Sequence, residues 1–475
     1  MPLGSQQLVL DAAEFLKGMS SGPEISDGGF STQTEALNLI AEPGVLYAPA
    51  QAANIDTDPV LTEEIIASCP DHAITSVFNR LLVAENGTKF SYNGTKVATV
   101  ATGTDATNTY AKGFTDMINY AGETYITTKQ TIVRWSGTAT FNNAFFTFTT
   151  NNVWHPAIVF EDNAFYGDKN LLLRQTSAGG TPATILTLST DQFIVALGID
   201  PGTGKMLIST ISTLNVSNSL PLTSKLLWYD GFSNKPLKSI IIEEPIYGFH
   251  ILEGIVFVGY GGNIGYLSGS GITFLRKLRN VTANEEDLPY KHNFASIVNT
   301  LYVVDGSQIL AFGEVIRGGK IFYYCYKNYI TASQSATKFK TIFPAGDAGD
   351  STTKKLAISV ATTKLYTLDV TSKATLDRFE LRTNWIHFPR PVNIKSLHVE
   401  YNDSIASTGN FTFSYLDQSG TTSKNLSVRN TPITSVFEFD VIGFQEKLKA
   451  LKLLIQNVTE NDGLKKITIY YDFVE

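Results

Sequence analysis

Between residues 70 and 380 the chain repeats one pattern of apolar and polar positions: an apolar strand, a short turn, and a second apolar strand. Alternation with β-branched and aromatic residues is typical of β-strands, and Gly, Asn and Asp between such runs indicate hairpin turns. Seven copies of this unit are found, at 80–92, 123–135, 163–174, 192–208, 254–266, 299–312 and 355–366.

The spacing of these copies predicts a β-propeller over residues 69–380. One copy occurs about every 46 residues, which is the period of propeller blades with four antiparallel strands. The spacing is uneven, so six to eight blades are compatible with it, and seven are favoured. Parallel α/β folds need amphipathic helices between strands, and the pattern contains none. A stack of β-sandwiches is the alternative arrangement of the same strands.

Residues 1–68 carry no apolar pattern large enough for a core of their own, and we interpret them as an extended N-terminal arm that packs on a larger body. Within the arm, residues 8–19 have apolar positions at helical spacing, which predicts a short helix. Residues 62–67 have the composition of a single helical turn.

Residues 381–475 differ from the repeat region and predict a C-terminal β-sandwich or jelly roll. A hinge rich in proline at 385–391 is followed by alternating strands separated by polar turns. Residues 448–455 could form an amphipathic helix by composition, but the even alternation with lysine favours a strand. The whole chain is therefore predicted to be all-β.

Charge and composition exclude several classes of protein. The formal net charge is −7 and only 17% of residues are charged, which argues against a specific nucleic-acid-binding protein with a basic face. A hydrophobic content of 43% argues against disorder. Two cysteines exclude a disulfide framework. Apolar runs are short and interrupted by charges, so we expect no membrane span and no secretory signal.

The motif search predicts no enzyme, no cofactor and no metal. Residues 200–205 resemble a phosphate-binding loop, but the spacing of the glycines and the Met206 that follows do not fit one. Residues 259–265 miss the dinucleotide fingerprint by one position and lead into a strand. Both are interpreted as hairpin turns. None of the six histidines forms the helical pair that a zinc site uses.

One charged segment is a candidate protein interface. Basic residues are followed closely by acidic ones, and such a contrast can present complementary patches to a neighbouring copy. A solvated loop is the alternative interpretation of the same charges. The candidate interface residues are Arg276, Lys277, Arg279, Glu285, Glu286 and Asp287.

The order of these parts resembles the β-propeller tail proteins of tailed bacteriophages. The resemblance rests on short motifs in the arm, on the irregular propeller, and on the ending of the sandwich. These motifs are Gly-Gly-Phe at 28–30, Leu-Asn-Leu at 37–39, Glu-Pro-Gly-Val-Leu at 42–46 and Ile-Thr-Ile-Tyr-Tyr at 467–471. The blades carry no Trp-Asp or Asp-box signature.

The resemblance implies a non-enzymatic structural part of a virion, such as a tail nozzle, tail tip or neck ring. Its partners would be copies of itself in a ring and other tail or neck proteins, with assembly in the host cytoplasm and DNA free to pass through the ring. The resemblance supplies no catalytic residues. Two alternatives stay open: a carbohydrate-binding or glycan-cleaving propeller, acting as a receptor-binding protein or secreted hydrolase, and an intracellular scaffold propeller.

Overall fold

A computed structural model describes most of the repeat region. Toward the two ends of the chain it describes individual strands. It describes residues 6–11, 33–37, 40–42, 45–47, 53–54, 56–58, 61, 63–72, 79–94, 96–101, 110, 112–137, 141–151, 153–212, 224–269, 271–278, 288–297, 299–306, 308–315, 320–327, 338–346, 355–360, 364–369, 380–383, 386–401, 412–416, 423–426, 436–439, 447–456 and 464–474. The regular structure in these residues is almost entirely β-strand, which confirms the predicted all-β class.

The chain forms two compact units, and each unit combines segments that are distant in sequence. The propeller unit comprises Ala53–Ser307 and Ala336–Thr367. The terminal unit comprises Met1–Ala52, Gln308–Ser335 and Leu368–Glu475. The boundaries predicted at 68/69 and 380/381 remain sequence predictions.

Six short strands precede the repeat region and are divided between the two units. In chain order they are β1 (Gln6–Asp11), β2 (Gln33–Leu37), β3 (Ile40–Glu42), β4 (Val45–Tyr47), β5 (Ala53–Asn54) and β6 (Asp56–Asp58). The first four belong to the terminal unit, and β5 and β6 belong to the propeller unit.

The next twenty strands form five consecutive antiparallel blades of four strands each. Blade 1 contains β7 (Ile65–Pro70), β8 (Arg80–Ala84), β9 (Lys89–Tyr92) and β10 (Lys96–Ala101). Blade 2 contains β11 (Asp116–Tyr120), β12 (Glu123–Thr127), β13 (Thr131–Trp135) and β14 (Phe141–Thr147). Blade 3 contains β15 (Ala157–Phe160), β16 (Asn163–Asp168), β17 (Leu171–Gln175) and β18 (Ala183–Thr187).

Blades 4 and 5 continue the same up-and-down order. Blade 4 contains β19 (Gln192–Asp200), β20 (Lys205–Ser212), β21 (Ser224–Tyr229) and β22 (Lys238–Ile242). Blade 5 contains β23 (Ile246–Leu252), β24 (Ile255–Tyr260), β25 (Asn263–Ser268) and β26 (Gly271–Lys277). A 3-10 turn at Lys291–Asn293 then leads into blade 6.

The ring is completed by blade 6, which contributes β27 (Phe294–Ile297) and β28 (Thr300–Asp305) to this unit, and by blade 7. After β29 (Gln308–Val315) and β30 (Lys320–Lys327) of the terminal unit, blade 7 contains β31 (Phe339–Ala345), β32 (Lys355–Val360) and β33 (Lys364–Asp369). The innermost strands contact one another in a closed circle, in the order β7, β11, β15, β19, β23, β27, β31 and again β7. The propeller therefore has the seven blades that the repeat predicts.

Two N-terminal strands cover the edges of blades 7 and 1. The fourth strand of blade 7 is β5, which pairs Asn54 with Tyr366 and Ala53 with Thr367. Beside it in sequence, β6 adds a parallel strand to blade 1 by pairing along β10. Part of the predicted arm is thus built into the propeller sheets, where it protects edges that would otherwise be unpaired.

The hydrophobic core of the propeller lies between the faces of neighbouring blades. Apolar residues of blades 1 and 2 form one cluster, and equivalent clusters join blades 2 and 3, blades 3 and 4, blades 4 and 5, and blades 7 and 1. Each blade packs both faces against its neighbours, so strands such as β8 are apolar and buried at every position after the first. This explains the continuous apolar runs in the repeat.

The terminal unit is also all-β and joins the two ends of the chain. It adds β34 (Glu380–Thr383), β35 (Ile386–Tyr401), β36 (Thr412–Leu416), β37 (Ser423–Leu426), β38 (Val436–Phe439), β39 (Leu448–Gln456) and β40 (Leu464–Phe473). The longest strand, β35, pairs with β38, β39 and β40, and β40 pairs in turn with β1 and β4. Residues 448–455 form a strand, as their alternation predicts.

Two predicted helical segments are wrong. Residues 8–11 of the predicted helix lie in β1, which pairs antiparallel with β40 along its whole length; residues 12–19 lie outside the described residues. Residues 65–67 of the predicted turn lie in β7, the inner strand of blade 1. In both places, pairing with another strand provides backbone hydrogen bonds that outweigh a weak local preference for helix; the partner of β1 is the distant β40, and the partner of β7 is the next strand, β8.

Candidate functional site on the propeller axis

The propeller axis is the point where polar and aromatic side chains of several blades converge. It is lined by the starts of the inner strands and by the segment that precedes blade 6. The lining residues come from 113–116, 154–156, 195–197, 247–249 and 290–292. We call residues 288–293 the axial plug, because this segment crosses between those strands.

Aromatic rings fill the axis around the plug. The ring of Tyr290 lies 4.7 Å from that of Trp154 and 6.1 Å from that of Tyr247, measured between centroids. The ring of Trp154 also stacks on Phe114 at 5.2 Å. The cavity that remains has a volume of about 30 Å³. This is room for about one water molecule and not for a sugar ring.

Two facing glycines of blade 5 allow the plug to approach its backbone. Gly248 of β23 pairs with Gly259 of β24. A Cβ atom at Gly259 would lie 2.5 Å from the carbonyl oxygen of Pro289, and one at Gly248 would lie 2.7 Å from the same oxygen. Any side chain at either position would therefore collide with the plug backbone, which explains glycine at both.

A buried carboxylate holds the plug from the other side. Oδ1 of Asp116, at the start of β11, accepts a hydrogen bond from Lys291 Nζ at 2.8 Å and lies 3.4 Å from His292 Nε2. Oδ2 accepts from the backbone N–H of Ala157 at 2.9 Å, at the start of β15. Lys291 Nζ also donates to the Ala157 carbonyl at 3.3 Å. One carboxylate thus links blade 2, blade 3 and the plug.

These contacts and burial shift the pKa values of Asp116 and His292. Burial by itself would raise the pKa of Asp116, but the Lys291 ammonium, His292 and the Ala157 N–H outweigh burial and hold that pKa well below its usual range. Burial lowers the pKa of His292, and the nearby Asp116 carboxylate opposes this shift only in part. At neutral pH the site therefore holds a charged Asp116–Lys291 pair beside a neutral imidazole.

A second polar group near the axis, on blades 1 and 2, could suggest a cysteine nucleophile. Burial raises the pKa of the Cys69 thiol to about 12, so the thiol stays protonated at neutral pH. Its sulfur contacts Asn119 Oδ1 at 3.5 Å, whereas His72 Nδ1 lies 2.6 Å from Thr124 Oγ1. The histidine is thus engaged with a threonine rather than with the thiol, and the group lacks an activated nucleophile.

The arrangement on the axis is suited to holding blades together. Glycoside hydrolysis needs two carboxyl groups about 5–10 Å apart and space for a sugar between them. Asp116 is the one carboxylate among the described residues that line the axial cavity. Within the described ranges, no cluster of three or more His, Cys, Asp or Glu side chains could hold a metal ion.

The candidate interface is only partly described. Arg276 and Lys277 end β26, where Arg276 is buried and Lys277 is exposed. The other four residues, Arg279, Glu285, Glu286 and Asp287, lie outside the described residues. Lys277 is therefore the surface charge of this set that the structure locates, and the interface remains a prediction.

The loop that resembles a phosphate-binding motif is a hairpin turn between β19 and β20. Asp200 Oδ1 accepts from the backbone N–H of Gly202 at 3.0 Å, and Oδ2 accepts from Thr203 Oγ1 and from Trp228 Nε1, both at 2.8 Å. The Gly202 N–H and the Thr203 hydroxyl, which a bound phosphate would need as donors, therefore already donate to the Asp200 carboxylate. Residues 259–265 likewise lie in the β24–β25 hairpin.

We expect buried histidines to make the propeller sensitive to mild acid. Burial lowers the pKa of His250 to about 4, and its Nε2 is enclosed by protein while its ring stacks on Phe294. The unfolded chain takes up the proton near pH 6.5, before the folded one. The contribution of His250 to the free energy of unfolding should therefore be constant above about pH 7 and fall by about 3 kcal/mol between there and pH 4.

Urea denaturation at pH 7.5, 6.0, 5.0 and 4.5 measures this loss. His250→Phe keeps a ring beside Phe294 and removes the titration, so its free energy of unfolding should fall less steeply than that of the wild type. Burial also lowers the pKa values of His155 and His292. These two histidines account for the decrease in the free energy of unfolding that the variant should still show. An identical slope in variant and wild type would contradict the assignment to His250.

The axial site is absent from the sequence predictions. Asp116 and Lys291 are separated by 175 residues, and no spacing rule connects them. The available signal was local: Pro-Tyr-Lys-His-Asn at 289–293 places three polar side chains in succession directly before an apolar strand. Polar residues at the start of an inner strand lie near the propeller axis, and this position would have made them candidates.

Comparisons with known proteins show no functional relationship. No family model matches the chain, and no curated protein matches it. Among solved structures, the extracellular domain of a hybrid two-component system from B. thetaiotaomicron aligns at 13% identity over 78% of this chain with a TM-score of 0.46, and the chain spans 43% of that protein. A computationally designed protein and a chain of the mitotic checkpoint complex align at 10% and 8% identity, over 67% and 68% of this chain, with TM-scores of 0.39 and 0.44. These alignments cover 100% of the designed protein and 96% of the checkpoint-complex chain.

Proposed function

We propose that this chain is a structural protein of a tailed-phage virion, placed in the tail or neck as one of several copies in a ring. It is not an enzyme in this proposal. The single observation that carries the structural role is the aromatic packing at the axis, where the cavity lined by Trp154, Tyr247 and Tyr290 has a volume of about 30 Å³. The phage assignment rests on the order of arm, propeller and sandwich described above.

The charges on the axis support the same role. Asp116 accepts hydrogen bonds from Lys291 and from the Ala157 backbone N–H, and Lys291 also donates to the Ala157 carbonyl, so the protein itself engages this carboxylate. A propeller used in this way is a rigid body whose loops and edges contact neighbours. A glycan-cleaving propeller would instead need an open site with a second carboxylate.

Exposed apolar side chains on blades 4 and 5 support contact with other proteins. Large apolar side chains are exposed there, and exposed apolar patches on a folded domain commonly mark interaction sites. The exposed residues on these two blades are Phe232, Leu237, Ile241, Ile251 and Phe274. In the described part of the chain no helix is long and apolar enough to cross a membrane.

Quantitative mass spectrometry of purified particles produced by the encoding genome tests the proposal. We expect this chain in the particles at several copies each, and electron microscopy of those particles should place it in a symmetric ring around the tail axis. A chain that is absent from particles, or present as one copy without symmetric neighbours, contradicts the proposal. Turnover of a glycan that is lost in Asp116→Asn would contradict the non-enzymatic role and support the glycan-cleaving alternative.

A further inference from the structure

The outermost strand of blade 4 is an exposed apolar edge. Among the described strands β22 pairs only with β21, and no described strand pairs along its other side. Ile241, the fourth of its five residues, is 77% exposed. Blades 1 and 7 have their outer edges covered by β6 and β5. An uncovered apolar edge strand is a ready site for pairing with another strand.

A groove beside this strand extends the apolar surface to blade 5. It has a volume of about 390 Å³ and lies between β22 and β26. Phe274 of β26, which is 52% exposed, faces Ile241 across it. Glu243 and Glu244 line the end of the same groove. The edge and the groove together form one surface, which we call the blade 4 edge.

The charges along this edge select its partner. Residues 238–244 read Lys-Ser-Ile-Ile-Ile-Glu-Glu, with the positive charge at one end and the negative charges at the other. In an antiparallel pair of two such segments centred on Ile241, Lys238 at the start of β22 in each copy faces Glu244, two residues past the end of β22, in the other. A parallel pair would place like charges side by side, which is unfavourable.

We propose that two copies of this chain associate through the blade 4 edge, with β22 pairing antiparallel to β22 of the second copy around a two-fold axis. The contact joins two four-stranded blades into one continuous sheet and brings the two Ile241 side chains together. Such a contact is self-complementary, as a two-fold interface requires. The inference does not use the proposed ring, and the two can fail separately.

Sedimentation velocity of the full chain over a range of concentrations tests the association. One strand and its groove form a small interface, so we expect a reversible dimer with a dissociation constant on the order of micromolar. Ile241→Lys should weaken it at least tenfold while the thermal transition stays unchanged, because residue 241 is exposed. Thr184→Lys places the same charge at an exposed position on β18, the outer strand of blade 3, and should leave the dimer intact.

A charge exchange identifies the pairing itself. Lys238→Glu alone and Glu243→Lys/Glu244→Lys alone should each weaken the dimer about tenfold, and the variant that carries all three should regain most of the affinity. Lys238 lies 4.4 Å from the ring of Trp228 and Glu244 accepts a hydrogen bond from Asn263, so each change alone also disturbs its own surroundings. Recovery in the combined variant cannot come from such local effects.

Three results would overturn the proposal. The first is a chain that stays monomeric up to about 100 μM, well above the dissociation constant expected for this interface. The second is an association that Ile241→Lys and Thr184→Lys weaken equally. The third is a combined charge variant that associates as weakly as the variants with a change at only one end of the strand. Presence or absence of the chain in virions does not bear on any of them.

Discussion

Replacing Asp116 with alanine should lower the free energy of unfolding of the propeller by about 3 kcal/mol. The substitution leaves the backbone N–H of Ala157 without its acceptor and the Lys291 ammonium without its counter-charge. An uncompensated buried donor costs about 1–3 kcal/mol, and breaking a buried ion pair costs a similar amount or more. The side chain of Lys291 is 39% exposed and can be partly rehydrated, so we place the expected loss below the sum.

Chemical denaturation at pH 7 measures this loss, and Asp472→Ala is its matched control. Asp472 pairs with Lys395 at 3.1 Å on the surface of the terminal unit, where an ion pair contributes about 0–1 kcal/mol. The effect of pH is a second test. Because the pKa of Asp116 is lowered in the folded protein, its contribution is present above about pH 4 and is lost as the pH falls below that. Asp116→Ala should remove this component, and equal losses for Asp116→Ala and Asp472→Ala would contradict the structural role of the axial carboxylate.

Gly259→Ala should destabilise the propeller by about 2–4 kcal/mol, although it adds a single methyl group. The new Cβ would lie 2.5 Å from the carbonyl oxygen of Pro289, which is a backbone atom and cannot rotate away. Either the plug or β24 must shift, and overpacking of this kind typically costs about 1–3 kcal/mol or more. The shift would also disturb the stacking of Tyr290 on Trp154.

Gly271→Ala is the matched control for this prediction, because a Cβ at residue 271 would have no atom within 4 Å. We expect that variant to change the free energy of unfolding by less than about 0.5 kcal/mol. Thermal denaturation followed by near-ultraviolet circular dichroism reports both the stability and the aromatic packing. If Gly259→Ala is as stable as Gly271→Ala, the plug does not lie against blade 5 as described.

The repeated strand–turn–strand pattern determined the class of fold and the number of blades. Both properties depend on which residues neighbour each other within about ten positions: apolar alternation selects a strand, and turns such as 200–205 select a hairpin. The same local rule identified β39 as a strand from its lysine alternation. Hairpin pairing is a local property, so one sequence is sufficient to predict it.

Only the tertiary structure decided how the ring is closed and what lies at its axis. The pairing of β5 with β33 joins residues 54 and 366, and the axial ion pair joins residues 116 and 291. Such partners are selected by which strands meet when the blades close into a circle, and no periodicity along the chain contains that information. One wrong helical segment has the same cause: residues 8–11 are a strand because they pair with β40 near the other end of the chain, whose hydrogen bonds and burial exceed the small free energy by which a short segment prefers helix. Residues 65–67 pair with the next strand, β8, and their burial in the inner strand of blade 1 outweighs the same preference.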